Sequence, residues 1–134
     1  MDRIAELSQR FAQEPLAAFF GLELVALSPG NARIALLVRP EHAIVGGAAQ
    51  GGVTTMLADY AGVYAAMGLI PAGHTPAKHI AIDLLRPVGV GETVTATAEV
   101  TEQTRSSIFV AVRVADEGGR AKAIASISFA KPKP

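Results

Sequence analysis

Gly46-Gly47-Ala48-Ala49-Gln50-Gly51-Gly52-Val53-Thr54-Thr55-Met56-Leu57-Ala58-Asp59 is a glycine-rich loop that runs into a helix. The helical stretch continues to Gly68 and carries one carboxylate, Asp59, and no other charge. Such a helix is too apolar to lie on a wet surface, so the rest of the chain must wrap it. The free backbone N–H groups at its start can polarise a carbonyl. A carboxylate set in an apolar wall costs free energy unless it is partnered or used. The two features together point to acyl chemistry.

What lies on either side defines the wrapping. Ile4, Leu7 and Phe11 recur at helical spacing, which predicts a short amphipathic helix within residues 1–14, ended by Pro15. Phe19 to Leu27 is expected as a strand, and Pro29-Gly30-Asn31 as a turn. Ala32, Ile34, Leu36 and Val38 alternate with polar residues up to Pro40. Beyond the long helix, Lys78 to Arg86 reads as a buried strand closed by Pro87-Val88-Gly89. Val94 to Val100 and Ile108 to Val114 alternate with a period of two. Asp116-Glu117-Gly118-Gly119 is a hairpin turn before a last strand, Ala121 to Phe129. Strands that run in succession around one long helix, residues 51–68, predict an α+β fold with an antiparallel sheet. One domain over residues 1–134 is expected from the length.

Composition narrows the function. Lys and Arg equal Asp and Glu at 12 each, so bulk charge calls for neither nucleic acid nor an anionic membrane. The absence of cysteine removes a disulfide framework, a thiolate zinc site and a cysteine nucleophile. The N-terminus does not read as a secretory signal, and Asp59 interrupts the longest apolar run. A cytoplasmic location is the default expectation. There is no phosphate loop and no dinucleotide fingerprint. No metal or other cofactor is expected.

On the long helix Gly52, Thr55, Gly62 and Ala66 share a face with Asp59, a stripe of small residues that another surface could approach closely. Met56, Leu57, Val63, Tyr64 and Met67 read as core. Gly51 and Asp59 are eight residues apart, about 12 Å along one helix at ~1.5 Å per residue. One carbonyl cannot reach both in a single copy, which predicts a site shared between subunits. Two readings of each feature stand side by side. Gly51-Gly52 is either a tight turn or a donor site, and Asp59 either a structural carboxylate or a reactive one. His42 and His74 are expected to be solvated in loops, and His79 and Asp83 to pair on one strand face. Arg86, Arg105 and Arg120 lie near strand ends, as solvated caps or as grips for a ligand phosphate.

Three segments carry a resemblance: Gln50-Gly51-Gly52-Val53 through Leu57-Ala58-Asp59, Leu84-Leu85-Arg86-Pro87-Val88-Gly89-Val90-Gly91-Glu92, and the closing strands around Asp116-Glu117-Gly118-Gly119. From about Gly21 to Ala130 the chain resembles the PaaI-like (phenylacetate-degradation-type) hotdog-fold thioesterases. The resemblance implies a hotdog homodimer, often a tetramer, that hydrolyses acyl-CoA thioesters. It implies that the Gly51 N–H binds the thioester carbonyl and that Asp59 of the partner subunit is nucleophile or general base. By the same match Gln50 joins the catalytic group, while Gly47, Gly52, Thr55, Val63, Ala77, Arg86 and Arg105 contact substrate. The family's usual Asn and His are replaced by Ile44 and Gln50, and its Ser or Thr by Ala77, with Thr75 close by. These losses leave a second expectation open: a hotdog module that binds an acyl-CoA or another hydrophobic ligand without turning it over.

Overall fold

The computed structural model describes residues 2–133. Helix α1 spans Arg3–Phe11, and the Asp2 carboxylate accepts the Ala5 N–H to cap it. Its apolar face buries Leu7 and Phe11, and Phe11 stands edge-on to Tyr60 and Tyr64. The expected strand from Phe19 is corrected by a second helix, α2, at Pro15–Phe20. Pro15 opens this helix as well as ending the one before, because its fixed φ suits a first helical turn. Gly21, at φ 76°, closes α2 in the left-handed region, and strand β1 begins only at Glu23 and ends at Ser28.

Strands β2 (Asn31–Leu37), β3 (Ala77–Leu84), β4 (Thr93–Gln103), β5 (Ser107–Asp116) and β6 (Ala121–Ala130) complete one antiparallel sheet. Its order is β1-β2-β4-β5-β6-β3. Helix α3, Gly51–Met67, leaves the sheet after β2 and returns to it at β3. It packs on β2, β4, β5 and β6, which is the expected α+β hotdog arrangement of a sheet around a central helix.

Alternation sets the packing. Val94, Ala96 and Ala98 of β4 and Ile108, Val110, Val112 and Val114 of β5 point inward and are buried. The small inward residues let α3 sit close to the sheet, and Leu57, Ala58, Ala61 and Tyr64 are fully covered. At Gly62 the approach is tight: a Cβ there would stand 3.1 Å from the Phe129 ring. The small-residue stripe is therefore split. Gly62 and Ala66 are buried against the chain's own sheet, whereas Gly52 is exposed and Thr55 and Asp59 are half-buried. Only the N-terminal half of the stripe remains open to another surface.

Among the described residues the sheet ends on β3, whose outer edge has no strand beside it. Seven of its eight residues are exposed, including Ile80 and Leu84. An exposed edge with apolar side chains is a template for pairing. The expected His79–Asp83 pair does not form. Both side chains are exposed and lie four residues apart, about 13 Å along a strand.

Candidate active site

Backbone pairing builds the entrance to α3. Ala43 bridges Ala49, and the Gly47 N–H donates to the Ile44 carbonyl, so Ile44 to Gly47 form a tight turn. Gly46 and Gly47 have φ of 107° and 90°, values that favour glycine. The Ala49 N–H donates to Val88 and the Val90 N–H to Gly47, which straps the loop to the Pro87–Gly91 segment. The Gln50 N–H donates to the His42 carbonyl at 3.0 Å and fixes the first residue of the helix entry.

His42 corrects its expectation. It is buried, accepting the Arg39 N–H at Nδ1 and lying against the Phe20 ring. Burial and the Arg39 charge push its pKa down, so the ring is held neutral under the loop. A solvated reading missed this because the 3₁₀ turn Pro40–His42 folds the ring inward.

The donors at the helix start are not equivalent. The Gln50 side-chain oxygen accepts the Gly52 N–H and caps α3. Among the described residues the Gly51 N–H has no acceptor. Among the described residues the Gln50 amide NH2 has no acceptor, so it is available to donate. Gly51 lines a groove of roughly 220 Å³ together with Ala48, Ala49, Thr54, Leu84, Leu85, Arg86, Pro87 and Val88. The Leu84 methyl stands 2.8 Å from where a Cβ on Gly51 would lie, so glycine is what keeps the groove open there. Leu84 and Leu85 were not singled out as site residues. The signal was present as two leucines ahead of Arg86-Pro87 at the end of a strand.

The other candidates divide. Arg86 lines the groove and donates to the Ala121 carbonyl at 2.7 Å. The Thr55 hydroxyl donates back to the Gly51 carbonyl at 2.8 Å, and Val63 is buried in the helix wall. Ala77 and Arg105 do not join the groove. Ala77 opens β3 opposite Phe129, seven residues or about 23 Å from Leu84. Arg105 sits in the exposed β4–β5 turn at that far end. Arg120 donates its backbone N–H to Asp116 within the last hairpin.

Asp59 is half-buried one turn above Thr55, and among the described residues it has no hydrogen-bond donor or ion-pair partner within the chain. Burial pushes its pKa up, and the nearby His74 opposes that effect. The carboxylate is thereby a better proton acceptor than an exposed one. Among the described residues no group of three or more His, Cys, Asp or Glu side chains could hold a metal ion. No described helix is long and apolar enough to cross a membrane.

Comparison with known proteins bears on this geometry. The model of the thioesterase superfamily matches residues 46–123, from the glycine turn through β6's first residues. Comparison with curated proteins finds no match. Among solved structures, the PaaI protein of the Escherichia coli phenylacetic acid degradation operon superposes with a TM-score of 0.89 at 22% identity, over 95% of this chain and 91% of that one. A mutant of the phenylacetic acid degradation protein PaaI of Thermus thermophilus is 30% identical, with a TM-score of 0.80, over 89% of this chain and 100% of that one. A hypothetical thioesterase from Streptococcus pneumoniae, solved with coenzyme A, is 18% identical with a TM-score of 0.77, over 84% and 90% of the two chains. A family match over more than half the chain, on a sheet wrapped around α3, makes this protein a member of the thioesterase superfamily with a PaaI-like hotdog fold.

Proposed function

We propose that the protein hydrolyses an acyl-CoA thioester to the free acid and CoA at a site shared between two copies of the chain. The observation that carries this reading is the unpaired Gly51 N–H, held at the groove while Gln50 caps its neighbour Gly52. The thioester oxygen accepts from that N–H, and the helix start stabilises the charge that develops on it. The Gln50 amide NH2 is available as a second donor. Asp59 of the second copy either takes a proton from water, whose oxygen adds to the carbonyl carbon, or adds to that carbon itself. The C–S bond then breaks and the CoA thiolate leaves and is protonated. In the second route water hydrolyses the resulting anhydride.

Two observations support the shared site. About 12 Å separates Gly51 from Asp59 along α3, beyond the span of one thioester. The unpaired β3 edge offers a place for a second copy. Antiparallel pairing there sets the Ala77 end of one β3 beside the Leu84 end of the other. Ala77 and Arg105 of one copy then approach Gly51 and Arg86 of its partner, which reunites residues that one chain keeps apart. The arginines suit CoA phosphates. The Streptococcus pneumoniae structure solved with coenzyme A supports that ligand class. We place residues 1–134 in one catalytic domain, as a cytoplasmic dimer or dimer of dimers.

A second reading, a hotdog module that binds acyl-CoA without hydrolysis, draws on one observation. The Gln50 carbonyl oxygen is committed to the cap and Ile44 is apolar and exposed, so neither accepts from a water there. Free-thiol release from aliphatic, phenylacetyl and benzoyl CoA thioesters, wild type beside Asp59→Ala, separates the two. Turnover lost in the mutant supports hydrolysis through Asp59. Tight CoA binding with no turnover in either protein supports the module.

A further inference from the structure

The His79–Asp83 pair that one β3 strand cannot make is open to two. His79, Ala81 and Asp83 stand opposite Ser128, Ser126 and Ile124 of β6, on the face of the sheet turned away from α3. Ile80, Ile82 and Leu84 stand opposite Ile127, Ala125 and Ala123, on the core side. Both rows end at the open edge, and Ile80 and Leu84 are exposed there although they lie on the core side.

A second β3 that continues the sheet is related to the first by a two-fold axis normal to it. That symmetry keeps core side on core side, and directly opposite residues share a face. Outward residues therefore meet outward residues. Two such registers pair seven of the eight residues of Ala77–Leu84. The register centred on Ile80 sets His79 against Ala81 and Asp83 against Ala77. The register centred on Ala81 sets His79 against Asp83 twice, once on each side of the axis, and Ile80 against Ile82 on the core side. We propose that two copies of the chain pair in the second register, with His79 of each copy facing Asp83 of the other. Opposite side chains there have Cβ atoms about 5 Å apart, against about 13 Å for the same two residues along one strand.

The other charges nearby are turned away or engaged. Lys78 is skipped between the Ala77–Phe129 and His79–Ser128 pairs, a bulge that re-aims its side chain, and its ammonium donates to the Ser107 hydroxyl. His79 lines a hollow with Thr101, Phe109, Ser126 and Ser128, and no other side chain of that hollow is titratable. Beside Asp83, Ile124 is apolar, and Arg113 beyond it donates to the Gly119 carbonyl at 2.9 Å. His74, on the loop before β3, accepts from Arg10 at 3.3 Å. Among the described residues neither His79 nor Asp83 has an ion-pair partner in its own chain. An imidazole gains charge as pH falls from 8 to 5.5. The two pairs, and with them the shared site, tighten on acidification.

This inference rests on the proposed pairing of two copies, and not on what the site does to a thioester. His79→Glu sets carboxylate against carboxylate in its homodimer, and Asp83→Lys sets a lysine against each imidazole. Both positions are exposed, so both chains should fold. A mixed dimer of the two variants sets the new charges against each other and keeps one native pair. The two chains are co-expressed and their dimers weighed by native mass spectrometry at pH 6. Mixed dimers are expected to reach about three-quarters of the total, against the half that random pairing gives. In wild type the dimer dissociation constant should rise about tenfold from pH 5.5 to pH 8, about threefold for each pair, and Asp83→Asn should remove that rise. Random mixing in intact dimers overturns this register and leaves the thioesterase reading to stand or fall on thiol release by Asp59→Ala. A dissociation constant that ignores pH, or follows it equally in Asp83→Asn, overturns the pH dependence. A chain that stays monomeric overturns the pairing and the shared site together.

Discussion

Asp59 and Glu92 are two carboxylates with opposite surroundings. Glu92 accepts the Gly89 N–H and faces Lys122 at 3.3 Å, and these contacts, the Gly89 bond foremost, hold its pKa down. It closes the Pro87–Glu92 turn that straps the glycine loop, and its backbone carbonyl takes the Val38 N–H. Among the described residues of its own chain Asp59 has no such partners, and burial drives its pKa up. The fold satisfies the carboxylate that builds the groove and leaves unsatisfied the one proposed to react. A group that destabilises its own fold is expected where function requires it.

The largest effect expected from breaking this contrast is at Asp59. Asp59→Asn should lower turnover by about 10³-fold or more, as loss of a nucleophile or base does. The same change should raise the melting temperature at neutral pH. The sign follows from linkage: an acid whose folded pKa is raised loses stability as pH rises from 3.8 through its folded value. The amide removes that loss. Thermal unfolding at pH 7, wild type beside mutant, checks it; an equal or lower melting point contradicts the linkage.

Gly51→Ala comes next. The added methyl meets the end of Leu84, a side chain that can move, and alanine favours a helix, so the protein should fold. The groove narrows, and turnover should fall about 10²-fold, the loss typical of a disturbed oxyanion donor. Leu84→Ala in the same chain should restore part of it. A double mutant no better than Gly51→Ala would mean that the methyl does not act through the groove.

The smallest effect is at Glu92. Glu92→Gln should cost about 1 kcal/mol or less, because the carboxylate is partly exposed and screened. Turnover should be unchanged. The lowered pKa means that Glu92's contribution is present above 4.5 and is lost as pH falls through its folded value. Wild type and mutant should therefore converge in stability under acid, with wild type the more stable of the two at pH 7, the opposite sign to the Asp59 pair. Urea titrations at pH 7 and at pH 3 compare them.

Much of the fold is legible in the chain because its signals are local. The period-two alternation of Val94 to Val100 and Ile108 to Val114 and the uncharged helix after Gly51 depend on nearest neighbours alone. Pro15 shows the limit: the same residue ends one helix and starts another, and only packing decides. His42 is buried against expectation, and His74, exposed as expected, still has a partner, for a different reason. Phe20 against His42 and Arg10 against His74 are supplied by segments that the fold brings in, the second from 64 residues away. The candidate site is divided in the same way. Gly51, Gln50 and Asp59 stand on one helix and can be read from spacing. Leu84 opposite Gly51, and the separation of Arg105 from Arg86, appear only once β3 is paired with β6.

A site built from Gly51 of one copy and Asp59 of another can be measured by complementation. Gly51→Val and Asp59→Ala chains, each inactive alone, are co-expressed and their thiol release is assayed. Random pairing makes half the dimers mixed, and each mixed dimer holds one intact site of two, so about a quarter of wild-type turnover should return. Mixed dimers that form, by native mass spectrometry, and remain inactive would contradict the shared site.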